Sequence, residues 1–122
     1  MLGLNNVRKA CEFYDAVLPV IGANLVTAHM PHAFCYELRG GGRVWIATPY
    51  NEKAAISGNG NMVGFSCETR EHVDTAYKTA LSLGGVSEGR PGPRLLYGPD
   101  FYAAYIRDLD GNKMSFVHLG ES

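Results

Sequence analysis

Side chains able to carry chemistry are few in this chain. His29, His32 and Cys35 are spaced three apart around Met30 and Pro31, a local cluster of nitrogen and sulfur donors with metal-ligand character. No fourth ligand follows at a zinc-site spacing, and a loop between strands with exposed imidazoles and a buried thiol accounts for the same residues. His72 falls in the first turn of a helix, where an exposed ring is ordinary. His118 is two residues from Phe116 and so lies on the strand face opposite Ser115. No G-x-S-x-G or other nucleophile motif occurs, and Cys11 sits on the apolar stripe of a helix, where thiols pack rather than react.

Two constellations suit binding. Arg94 closes the run Arg90-Pro91-Gly92-Pro93-Arg94, and its guanidinium suits an anionic ligand group; a surface arginine stiffened by prolines is the other reading. Trp45, Tyr97, Tyr102 and Tyr105 combine aromatic rings with hydrogen-bonding tips, which suits a pocket for a planar or amphipathic small molecule, although sheet packing uses the same residues.

These residues need a scaffold, and the composition bounds it. With 122 residues, 46% hydrophobic and 19% charged, the chain fits one globular domain. Eleven basic against twelve acidic residues, with no like-charge run, argue against nucleic acid as a partner. No apolar run reaches the roughly 18 residues of a membrane span. Three widely spaced cysteines without a CxxC pair point to reduced thiols, and no basic stretch with a following apolar run opens the chain, so the expected location is cytoplasmic.

Val7, Ala10, Cys11, Tyr14, Val17, Leu18 and Ile21 follow helical spacing, with Asn5 or Asn6 as N-cap and Gly22 as stop. Val73, Ala76, Tyr77, Ala80 and Leu81 repeat the pattern, with Thr69 as N-cap, Glu71 in the first turn and Gly84-Gly85 as stop. The two stops lie 62 positions apart, about half the length, which indicates an internal duplication. Strands are expected at 1–4, 24–29, 33–39 and 43–48 in the first half, and at 62–67, 86–90, 101–107 and 113–119 in the second. Gly40-Gly41-Gly42 and 108–112 supply hairpin turns, and the polar segment 50–61, with Gly58-Asn59-Gly60, links the halves. Each half thus reads strand, helix, three strands. One helix covers one face of each sheet, leaving the opposite, twisted face to enclose a cavity.

Four stretches, Phe13-Tyr14-Asp15-Ala16-Val17-Leu18, Arg90-Pro91-Gly92-Pro93-Arg94, Tyr102-Ala103-Ala104-Tyr105 and Asp108-Leu109-Asp110-Gly111-Asn112-Lys113, give the chain a resemblance to a known family. It resembles the vicinal oxygen chelate superfamily, the glyoxalase / bleomycin resistance protein / extradiol dioxygenase group, and the last stretch is close to the family phrase D-P-D-G-N-x-[IVL]-E. The resemblance implies an α+β fold of two βαβββ repeats forming a curled mixed sheet around a cavity, with helices on the outer face. It implies a single domain over 1–122, with repeat one about 1–49, a linker at 50–61 and repeat two about 62–122. It also implies a homodimer, because similar proteins often pair or exchange repeats between chains.

The family's shared chemistry is a divalent metal that polarises vicinal substrate oxygens as a Lewis acid. Its ligands are usually a His on the first strand, a His on the strand opening the second repeat and a Glu on the last strand, with a fourth-strand ligand in some members. Carried over, the last-strand position is Ser115, the second-repeat position is Met62, and the first falls ahead of Met1. Thioether and neutral hydroxyl are poor ligands for such ions, so no metal cofactor is expected. The domain either has dispensed with metal or starts upstream, and an upstream His would still leave two positions without their ligand.

The expected function is therefore a metal-free small-molecule-binding member of the superfamily, a sequestering protein or degenerate enzyme. Its expected ligand-binding residues are Trp45, Met62, Arg94, Tyr102, Tyr105, Ser115 and Val117. One alternative is an active glyoxalase-like lyase or dioxygenase whose metal ligands come from His29 and His32 or from a partner chain. A second is an interaction or regulatory module. No catalytic residue is assigned.

Overall fold

The computed structural model describes residues 1–29, 32–58 and 60–120. Met30, Pro31 and Asn59, which the sequence places in a loop and in the linker, lie outside the described residues. The first half runs β1 (Leu2–Gly3), α1 (Val7–Val17), a 3-10 turn (Leu18–Ile21), β2 (Asn24–His29), β3 (Ala33–Glu37) and β4 (Arg43–Ala47). The second runs β5 (Val63–Ser66), α2 (Arg70–Ser82), β6 (Val86–Pro93), a short 3-10 turn (Leu95–Tyr97), β7 (Tyr102–Arg107) and β8 (Lys113–His118). The curled sheet is built as two four-stranded sheets of the same order, β1-β4-β3-β2 and β5-β8-β7-β6. In each, the first strand joins the last in parallel and the remaining pairs are antiparallel.

Both helices start where a side chain satisfies a free backbone N–H. The Asn6 side chain accepts from Lys9 N at 3.1 Å, and the Thr69 hydroxyl accepts from His72 N at 3.0 Å. Gly22 and Gly84, at φ of 86° and 100°, adopt left-handed turns that end the helical segments at little steric cost. The first segment changes from α to 3-10 geometry at Leu18, because Pro19 has no N–H to donate to a helical carbonyl. Helix α1 buries Ala10, Phe13, Tyr14 and Val17, and α2 buries Val73, Ala76, Tyr77 and Ala80. These meet Phe34, Tyr36 and Ile46 of the first sheet and Ala104, Ile106, Met114 and Phe116 of the second in one core.

The join between repeats is polar and specific. Buried Asp108 opens the β7–β8 turn and accepts from Asp110 N at 2.9 Å, Asn112 N at 2.8 Å and Asn112 Nδ2 at 3.0 Å. It also accepts from the Tyr14 hydroxyl of α1. Asn112 Nδ2 donates to Gly3 O of β1 at 2.9 Å, and Asn5 N donates to Asp110 at 2.9 Å. The Asp-Leu-Asp-Gly-Asn run is thus a structural clasp between halves. Burial raises the Asp110 carboxyl pKa, with the Asn5 N–H acting in the opposite direction.

Strand β6 continues to Pro93, past the expected end at residue 90. It is the edge of its sheet, so Pro91 and Pro93 interrupt no ladder on the outer side. Its register shifts between Ser87 and Gly89 and again between Gly89 and Gly92, irregularities of the kind that bend an edge strand. Among the described residues, no helix is long and apolar enough to cross a membrane.

Candidate functional site

Alternation along β7 and β8 sorts their side chains between two environments. Ala104, Ile106, Met114 and Phe116 point to the core, so Tyr105, Lys113, Ser115 and Val117 occupy the other face. That face forms the floor of a cavity of about 860 Å³. Met62 stands at one edge, Glu88 and Pro93 come from β6, and Arg94, Leu95, Leu96, Tyr97 and Phe101 form a wall. All the lining residues belong to the second repeat.

Tyr105 is the centre of the polar half. The Arg94 guanidinium carbon lies 5.5 Å from its ring centroid and Lys113 Nζ lies 6.0 Å away. Arg94 is held by its own strand: Nη2 donates to Arg90 O at 2.8 Å and Nη1 to Pro93 O at 3.2 Å. Glu88, the acidic residue of the lining, pairs with Arg107 Nε at 3.4 Å. Ser115 is only 2% exposed yet lines the floor, opposite Gly64 on β5. A β-carbon at Gly64 would come within 3.2 Å of the Ser115 hydroxyl, so glycine leaves that hydroxyl its room. The apolar half includes Tyr97 and Phe101, whose rings lie 5.2 Å apart at 50°.

Of the expected binding residues, Met62, Arg94, Tyr105, Ser115 and Val117 line this cavity, and Trp45 and Tyr102 do not. Trp45 is on β4 of the first sheet, stacked on His29 with centroids 6.2 Å apart. Tyr102 falls on the helix-facing side of β7, where its hydroxyl donates to Asp74 of α2 at 2.6 Å and Arg70 lies 4.8 Å over its ring. The hydrogen bond to Asp74, followed by burial, raises the Tyr102 pKa. The lining adds Glu88, Pro93, Leu95, Leu96, Tyr97, Phe101 and Lys113 to the expected binding residues. Lys113 shares the strand parity of Ser115 and Val117, a signal present in the sequence.

The positions that the family resemblance assigns to metal ligands do not suit a divalent cation. Met62 and Ser115 offer thioether and hydroxyl, and Arg94 and Lys113 put positive charge in the same cavity. Among the described residues, no three His, Cys, Asp or Glu side chains come together as a ligand group, His29, His32 and Cys35 included. His118 Nδ1 lies 3.1 Å from Cys67 O, away from the cavity lining.

Two βαβββ repeats with a ligand-sized cavity against the helix-free face of one sheet define a class of protein, and solved structures of that class superpose on this chain. A glyoxalase/bleomycin resistance protein from Albidiferax ferrireducens T118 is 34% identical, with 97% of this chain and 93% of that one covered and a TM-score of 0.86. A glyoxalase-related enzyme from Fulvimarina pelagi is 16% identical over 96% of this chain and 83% of its own, with a TM-score of 0.74. A glyoxalase/bleomycin resistance protein/dioxygenase family enzyme from Burkholderia phytofirmans PsJN is 16% identical over 98% and 94%, with a TM-score of 0.71. The chain belongs to the glyoxalase/bleomycin resistance protein family, within the vicinal oxygen chelate superfamily. No protein-family model matches it, and no curated protein sequence matches it.

Proposed function

We propose that this protein binds a small organic molecule in the cavity of its second repeat and does so without a metal ion. The supporting observation is the lining itself, in which Met62 and Ser115, matched by the family resemblance to metal-ligand positions, offer only thioether and hydroxyl, and Arg94 and Lys113 add positive charge. Binding rather than turnover is favoured because the one lining carboxylate, Glu88, is engaged by Arg107 and so is poorly placed as a general base. The apolar wall removes ligand surface from water while Ser115, Tyr105 and the cations orient its polar end.

The working form in this reading is a homodimer in the cytoplasm. Leu95 and Leu96 are 72% and 88% exposed beside a cavity lined by one repeat, which gives a second copy apolar surface to cover.

A thermal-shift screen of chelator-treated protein against small aromatic and anionic compounds tests the proposal. A ligand at a hundred times its Kd should stabilise the fold by about 2.7 kcal/mol. No shift across a broad library, or shifts that appear only after adding Zn, Fe(II), Ni or Mn, would overturn it.

A further inference from the structure

We infer that the ligand of this cavity is an amphipathic organic anion, a flat apolar body bearing one acidic group, which Arg94 and Lys113 hold beside the Tyr105 ring. The inference rests on the binding function proposed above and narrows its ligand class.

The argument starts from charge that the protein leaves uncompensated. Arg94 and Lys113 both lie within about 6 Å of one ring centre, and among the described residues neither has a carboxylate partner. Glu88 does not neutralise them, since its ion pair is with Arg107. Two unpaired cations in the lining of one concavity give it a positive potential, and an anion bound there offsets that charge while gaining charge-assisted hydrogen bonds.

Arg94 is also set in place before any ligand arrives. Its two bonds to backbone carbonyls leave further guanidinium N–H groups free, and glycine backs it on two sides. A β-carbon at Gly89 would lie 3.4 Å from Nη2 and one at Gly92 would lie 3.2 Å from Nη1. The side-chain entropy usually lost on gripping a ligand is therefore already lost in the folded protein. The other end of the cavity has no charge to offer: Leu95, Leu96 and the Tyr97–Phe101 ring pair suit a flat apolar body.

The test compares three probes of one shape, 2-naphthoate, 2-naphthamide and 2-naphthylmethylammonium, by calorimetric titration of the whole protein at low and high salt. The expected result is naphthoate binding at least about ten-fold tighter than the amide, with the ammonium weakest. Added salt should weaken naphthoate alone. Arg94→Gln and Lys113→Gln should each lower naphthoate affinity by about five-fold or more while leaving the amide within about two-fold. Each variant is melted first, and Lys113→Gln carries the test if Arg94→Gln does not fold. Amide or ammonium binding as tight as naphthoate would overturn the anion preference and leave metal-free binding standing. So would failure of all three probes in a protein that other compounds stabilise. Failure of every compound would overturn both.

Discussion

The Tyr14 hydroxyl donates to the Asp108 carboxylate across the join between the two repeats, with both side chains buried. Asp108 also gathers two backbone N–H groups of its own turn and the Asn112 amide, so one carboxylate ties α1 to the β7–β8 turn. Tyr14→Phe removes one donor and leaves the carboxylate its other partners, and should cost about 1–3 kcal/mol in urea denaturation. Asp108→Ala orphans the donors together and should cost more. A Tyr14→Phe protein as stable as the parent would show that the Tyr14 bond adds nothing to the clasp.

Buried tyrosine and cysteine groups should also limit stability at alkaline pH. Burial, then the neighbouring Asp108, raises the Tyr14 pKa well above its usual value, and burial with the bond to Asp15 raises Tyr36. Burial pushes the Cys67 thiol up to about 11. For each group the folded-state pKa exceeds the unfolded one, so its contribution is complete below the unfolded pKa and declines as pH rises above it. The unfolded values are about 8.5 for Cys and about 10 for Tyr. Melting temperature should fall progressively above about pH 9, and Tyr14→Phe should flatten the decline above about pH 10. A flat profile through that range would contradict the assignment.

The three thiols should separate by accessibility. Cys35 and Cys67 are 0% and 2% exposed, whereas Cys11 is partly exposed on α1. A thiol reagent at pH 7.5 should label Cys11 first, slowly because burial and then Asp15 raise its pKa, with Cys35 and Cys67 reacting only on unfolding. Mass spectrometry of partly labelled protein reads the order directly, and early labelling of Cys67 would contradict its burial just past β5.

Gly89 backs the centre of the cavity. A β-carbon there would lie 3.0 Å from Tyr105 Cδ2, so Gly89→Ala should displace that ring, while Arg94 Nη2, at 3.4 Å, keeps ordinary contact. Ligand affinity should fall several-fold while stability changes by less than about 1 kcal/mol, because Tyr105 is only half-buried and free to shift. Titration of any compound found by thermal shift checks this, and unchanged affinity would remove Tyr105 from the site.

Much of this architecture was legible in residue order. Helical spacing from Val7, the caps Asn6 and Thr69 and the stops Gly22 and Gly84 located both helical segments. The turn at Asp108 was legible as a turn, but its role as a clasp was not, since Tyr14 lies 94 residues away. Strand β6 runs three residues past the expected 86–90, which its place at the sheet edge allows despite Pro91 and Pro93. The types of Tyr102 and Tyr105 are alike, and only the register of β7, with Ala104 and Ile106 in the core, separates them, sending Tyr102 to the helix side and Tyr105 to the cavity. Trp45 is a matter of tertiary layout, as the cavity is built on one repeat and Trp45 belongs to the other.

Metal content is the most direct measurement of the central claim. Protein incubated separately with Zn, Fe(II), Ni and Mn, desalted and assayed by elemental analysis should retain no stoichiometric ion while still binding its cavity ligand. One tightly held ion per chain, lost on Met62→Ala or Ser115→Ala, would contradict the account.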